Sequence, residues 1–316
     1  MQRGSRHIYP GRGSGSWSPG AWCLPALLTL SGQATGCRDK PKFSGPQVLG
    51  GRKVSAKILN RGHKYYTQFC EVCHGVKGNG KGPAAPGTLP PPRDFTKGYF
   101  KYVSVPGRRL PVDRDLLRSM NGGLQGTRMP AWGALTHHRK SDIVQYLKTF
   151  SKRWRTEKPG QPIVVVPDPW KDKPEALAQA RGALVYHGLA QCWECHPTYQ
   201  DRSALEKSLA DIRAELGAAA PKPVKLRSRA WRAAIVPTEY GSLQPADFLG
   251  QRLHGGSTLQ DLYRAVAAGI GGTPMPTWFE KLKPTDLWAV VHYVKSLLRL
   301  QKTPAAEALR KRVRGT

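Results

Sequence analysis

Two five-residue stretches carry the reactive side chains of this protein. Cys70-Glu71-Val72-Cys73-His74 and Cys192-Trp193-Glu194-Cys195-His196 each set two thiols three residues apart, with an imidazole directly after the second. Cysteines at this spacing support three kinds of chemistry. A redox dithiol belongs at a helix start in a βαβ pattern, and the sequence has no such pattern. Zinc takes four ligands, so the two motifs would have to meet around one ion. In the third chemistry, two thiols on one helical turn bond to the vinyl groups of a haem, and the adjacent histidine binds its iron. With six Cys and nine His in 316 residues, only ~0.003 such five-residue matches are expected by chance, and there are two.

Methionine separates the last two readings. The chain has four: Met1, Met120, Met129 and Met275. A gapless internal alignment pairs D-L-L-R-S-M-N-G-G-L-Q-G-T-R-M-P-A-W (115–132) with D-L-Y-R-A-V-A-A-G-I-G-G-T-P-M-P-T-W (261–278). Met129 then faces Met275, each with Thr two residues before and Pro immediately after, whereas Met120 faces Val266 and reads as a core residue. A thioether is a soft neutral donor suited to the sixth position of a haem iron, and zinc has no use for it. The expected site residues are therefore Cys70, Cys73, His74 and Met129 for one haem c, and Cys192, Cys195, His196 and Met275 for a second. Both axial ligands of iron are named in each set: His74 with Met129, and His196 with Met275. His63, His137, His138, His187, His254 and His292 recur at no matching positions and read as surface or packing residues.

The elements that position these groups repeat as well. P-R-D-F (92–95) matches P-A-D-F (245–248), and the closing apolar stretch 143–150 matches 290–297. Helices are expected over 52–70, 113–121 and from Ser141 onward, the last with Ile143, Val144, Leu147 and Phe150 as its apolar stripe. Gly62 and Gly182 precede their motifs on the opening helices, where each would allow a close crossing near Tyr146 and Tyr293. Trp132 and Trp278 follow the methionine loops, as pocket walls or as core aromatics. The second unit carries about 31 extra residues after its histidine, including a helical pattern over 203–216 and a basic stretch over 221–232. Residues 154–174 contain five prolines and read as an extended linker.

The expected organisation is an export or lipoprotein signal over 1–36, a tether over 37–50, domain 1 over 51–153, the linker over 154–174, domain 2 over 175–302 with its insertion at about 197–240, and a basic tail over 303–316, whose run Arg310–Arg314 reads as disordered. Arg3, Arg6 and Arg12 precede a short apolar run (21–30), and no acid occurs before Asp39. Ala34-Thr35-Gly36-Cys37 resembles a bacterial lipobox, which implies lipidation of Cys37 and a periplasmic, membrane-anchored protein. A plain cleaved signal and an uncleaved anchor are the other readings. The net charge of +29 bears on partners and not on fold. Export removes nucleic acid as the natural partner.

With both motifs and both methionine loops in place, the chain resembles the class I cytochrome c family, in particular two-domain dihaem cytochromes of bacterial respiratory chains. The resemblance covers about 52–151 and 175–300. It implies an all-α fold, two tandem helical globules each around one covalent haem, and single-electron transfer between redox proteins that are acidic at the docking face. No small-molecule substrate is expected. A haem-bearing subunit of a larger membrane oxidoreductase is the alternative, and a dihaem peroxidase is disfavoured by the paired methionines.

Overall fold

The computed structural model describes residues 41–222 and 230–315. The signal, Cys37 and most of the basic stretch 221–232 lie outside the described residues. Residues 41–315 fall in one compact unit, built around two apolar cores, one from each repeat. Among the described residues no helix is long and apolar enough to cross a membrane.

The first repeat opens earlier than the sequence suggests. Strands β1 (Gln47–Leu49) and β2 (Arg52–Val54) form an antiparallel hairpin, with Leu49 and Val54 buried. Residues 41–50 are thus not all tether: Phe43 and Asn60 exchange two hydrogen bonds of 3.0 and 2.8 Å, and Lys42 Nζ donates to the Tyr146 hydroxyl at 2.7 Å. Helix α1 (Ala56–Phe69) starts at Ser55, whose hydroxyl accepts from the Ile58 amide, the usual cap for orphan N–H groups. Helix α2 (Glu71–His74) carries the first motif, and α3 (Asp113–Gly122) leads into the Met129 loop. Helix α4 (His137–Lys148) closes the core on Ile143, Val144 and Leu147, capped by Thr136. A short helix, α5 (Arg153–Thr156), buries Trp154 against the first unit.

The second repeat follows the same plan with additions. Helix α6 (Glu175–Leu184) runs into a π-helical turn at Val185–Leu189 and a short 3₁₀ turn at Cys192–Glu194. From the crossing glycine to the first motif cysteine, the second unit has two residues more than the first, and the wide turn and the left-handed Gln191 both fall in this longer stretch. Helix α7 (Arg202–Leu216) confirms the periodicity read over 203–216 and buries Leu205 and Ile212. A second hairpin, β3 (Val236–Thr238) with β4 (Gly241–Leu243), ends the insertion. Helix α8 (Leu259–Ala268) precedes the Met275 loop, and α9 (Pro284–Arg299) closes the second core.

In both repeats an Arg-Gly pair on the opening helix meets the closing helix. A Cβ on Gly62 would fall 2.2 Å from the Asp142 carbonyl oxygen and 2.8 Å from Tyr146 Cβ. On Gly182 it would fall 2.0 Å from the Ala289 oxygen and 2.6 Å from Tyr293 Cβ. The preceding arginine braces each crossing: Arg61 grips Asp142 at 2.7 and 3.0 Å, and Arg181 reaches Asp286 and Glu215, each at 2.6 Å. The crossing glycines are where the sequence put them.

Three further expectations change. The fold is mostly helical rather than all-α, because two small hairpins fill the approaches to α1 and to the Met275 loop. The basic tail is ordered: α10 (Pro304–Arg314) buries Ala306 and Val313, and Arg310 pairs with Asp247 at 2.8 Å. A charge run reads as disorder until one face proves apolar. The proline-rich linker is docked rather than free. The Ile163 amide donates to Ser104, and Trp288 Nε1 donates to the Val166 carbonyl, which places Val165 and Val166 on the second unit without strand pairing while Val164 stays exposed.

Candidate functional site

Helix α1 ends where the first motif begins, so the two thiols and the imidazole lie on one short turn. Cys70, Cys73, His74 and Met129 all line one cavity, whose apolar wall includes Phe69, Phe95, Phe100 and Ile143. Burial pushes the Cys70 thiol up to about 12, and the Cys192 thiol likewise to about 12. Such thiols are protonated at neutral pH and are poor redox nucleophiles. Among the described residues no group of three or more His, Cys, Asp or Glu is arranged to hold a metal ion, so the two motifs do not meet as a zinc site.

The histidines are held in the form an iron needs. His74 Nδ1 lies 3.0 Å from the Arg93 carbonyl oxygen, and His196 Nδ1 lies 3.0 Å from that of Ala246. A carbonyl only accepts, so Nδ1 carries the proton and Nε2 keeps its lone pair for a metal. Each ring also stacks on a phenylalanine: His74 on Phe95 at 4.4 Å, and His196 on Phe248 at 5.0 Å. Enclosure by the protein lowers both imidazole pKa values, favouring the neutral form. The two positioning groups come from P-R-D-F and P-A-D-F. Sequence reasoning saw the match but assigned it no task. The signal was its recurrence at one position in each unit.

The methionine loops are built alike. The Thr127 hydroxyl accepts from the Met129 amide at 3.1 Å and donates to the Leu124 carbonyl at 2.8 Å. Thr273 does the same for Met275 and Ile270, at 3.2 and 2.7 Å. One hydroxyl thus ties the methionine's backbone to the turn before it. Thr127→Val removes both bonds and should cost about 1–2 kcal/mol. Denaturant unfolding of the variant beside wild type measures it, and an unchanged midpoint would deny the tie any role.

The remaining candidates sort clearly. Met120 is buried in the first core and also lines the first cavity. Trp132 lines the first cavity, and its Nε1 is buried with no hydrogen-bond partner among the described residues. His187 is wholly buried: Nδ1 faces the Ala183 carbonyl at 2.9 Å, and Nε2 accepts from the Tyr199 amide at 3.3 Å. Both nitrogens are used, so it is a packing histidine. His254 belongs to the second repeat yet lines the first cavity and bonds the Gln125 carbonyl beside the Met129 loop.

These features fit a haem c. The first cavity offers two thiols on one turn, a neutral imidazole with its Nε2 lone pair kept for a metal, a thioether and an apolar wall. The orphaned indole N–H of Trp132 would otherwise be a buried donor without an acceptor, which a bound carboxylate or similar group would satisfy.

Known proteins agree with this for the first unit. Residues 58–147 match the family model described as cytochrome C oxidase, cbb3-type, subunit III, so a c-type cytochrome domain occupies the first repeat. No curated protein matches the sequence. Among solved structures, a chain of the Kuenenia stuttgartiensis reducing HAO-like protein complex Kustc0457/Kustc0458 is similar at 26% identity and a TM-score of 0.58. The match covers 75% of this chain and 96% of that one.

Proposed function

We propose that this protein is a dihaem c-type cytochrome that carries single electrons between redox proteins outside the cytoplasmic membrane. The observation that carries the reading is the doubled ligand architecture: each repeat has a C-x-x-C-H histidine fixed through Nδ1 to a carbonyl, and a Thr-tied methionine loop. Cys70 and Cys73 would hold the first haem, and Cys192 and Cys195 the second. A covalently held haem iron supplies a one-electron couple. His74 with Met129, and likewise His196 with Met275, would hold the two irons, whose chemistry would be electron exchange and not substrate binding. Thioether ligation favours the reduced iron and a positive potential. The strong net positive charge, +29 for the full chain with three of its arginines in residues 1–36, would steer acidic partners, with strong dependence on salt. Lipidation at Cys37 would keep the carrier at the periplasmic face of a membrane.

A second reading, a haem-bearing subunit of a larger oxidoreductase, draws support from the solved relative, which is titled as a protein complex. Carbon monoxide added to the dithionite-reduced protein tests the carrier reading. Little or no spectral change is expected. Rapid stoichiometric binding at either iron would mean an open coordination site and would favour an enzyme.

A further inference from the structure

The insertion of the second repeat has a task at the first site. The tip of the β3–β4 hairpin, Glu239-Tyr240, lies between the wall of the first cavity and the Met275 loop. On one side, the Arg93 guanidinium sits 3.7 Å over the Tyr240 ring and Lys101 Nζ sits 4.9 Å from its centre. Arg93 and Lys101 both line the first cavity. On the other side, the Tyr240 hydroxyl donates to the Gly271 carbonyl at 3.0 Å, and the Glu239 amide donates to Gly272 at 2.9 Å. The contact is clamped further by Lys97 Nζ on the Glu239 carbonyl at 2.6 Å, and by the Arg108–Glu239 ion pair. Gly271 itself donates to the Lys101 carbonyl at 3.2 Å, and a Cβ there would lie 2.0 Å from the Phe100 oxygen. No side chain other than hydrogen fits that approach.

Arg93 has a double relation to the first centre. Its carbonyl fixes His74, and its guanidinium is a cation taken out of water beside the cavity. Asp94 is a carboxylate whose charge acts on it, and that carboxylate accepts from the Thr96 amide and hydroxyl. Burial lowers the pKa of both Arg93 and Lys101, the latter to about 8. A desolvated cation is screened little and favours the more electron-rich state of a nearby redox group. The Tyr240 ring is what covers it, and a ring face is one of the few covers that a guanidinium tolerates.

We propose that Tyr240, from the second repeat, is a positioning residue for the first haem centre: it holds Arg93 in place and dry, so that the Arg93 charge raises the reduction potential of that centre alone. The proposal rests on the first cavity being a haem site. It also gives the insertion a role, as a cover that one unit supplies to the other.

The test is a spectroelectrochemical titration of the full-length holoprotein and its Tyr240→Ala, Tyr240→Phe and Arg93→Gln variants. Haem content is measured on the same samples. The first couple is identified as the one displaced by Met129→Ala. Tyr240→Ala should lower the first couple and leave the second unmoved, and Arg93→Gln should lower it further. Tyr240→Phe keeps the ring over Arg93, loses only the bond to Gly271, and should restore the wild-type value. Adding Tyr240→Ala to Arg93→Gln should produce no further shift. An unmoved first couple in Tyr240→Ala, equal shifts of both couples, or additive shifts in the double variant would overturn the proposal. Should Tyr240→Ala fail to fold, Tyr240→Leu removes the π face while keeping bulk, and the same outcomes apply. A wild-type protein without haem at the first motif would instead refute the site itself.

Discussion

Reduced Met129→Ala should bind one carbon monoxide per chain where the wild type binds little. In the oxidised variant the sulfur-to-iron near-infrared band should fall to about half, since one of two thioether ligands would be gone. Met275→Ala should behave the same way at the other iron, and the double variant should bind two. Met120→Ala serves as a control. Met120 is buried in the first core, so its loss should cost about 2–5 kcal/mol of stability without opening an iron. The contrast separates a ligand from a core residue of the same type. A full-strength band in Met129→Ala would show that another sulfur serves the first iron, and Met120, which also lines the cavity, is the available one.

The second large effect is mechanical. Gly62→Ala and Gly182→Ala should each destabilise the protein by about 3 kcal/mol, at the upper end for overpacked sites, because the obstacle is backbone oxygen and not a movable side chain. In an open helix the same change would stabilise by ~1 kcal/mol. Gly122, at the end of α3, has nothing within 4 Å of a built Cβ. Gly122→Ala should therefore be neutral or mildly stabilising. Denaturant unfolding of the three variants decides the matter. If Gly62→Ala were as stable as Gly122→Ala, the close crossing of α1 and α4 would not govern the fold.

Much of this architecture was legible because it is written twice. A single C-x-x-C-H or a single methionine is ambiguous, but two copies in register assign partners by position. The same comparison separated Met129 from Met120 and drew attention to Gly62 and Gly182. What it did not yield were the roles played by backbone. The carbonyls of Arg93 and Ala246 orient the two histidines, and a carbonyl has no sequence signature. The longer path to Cys192 likewise runs through a π-turn and a left-handed Gln191 that no apolar period announces. The tail over 303–316 looked like solvated charge, yet Ala306 and Val313 are buried and Arg310 finds Asp247. The insertion, present in one unit only, had no counterpart to interpret it. Its contact with Arg93 depends on packing between the repeats, which pattern within either repeat cannot express.

The central claim is that both motifs carry a covalent haem. The most direct test is the haem content of the purified chain, from its pyridine haemochrome spectrum together with the intact mass after denaturation. Two haems per chain, retained through acid-acetone extraction and reduced to one by Cys192→Ser with Cys195→Ser, is the predicted result. One haem in the wild type, or haem released by the extraction, would contradict it.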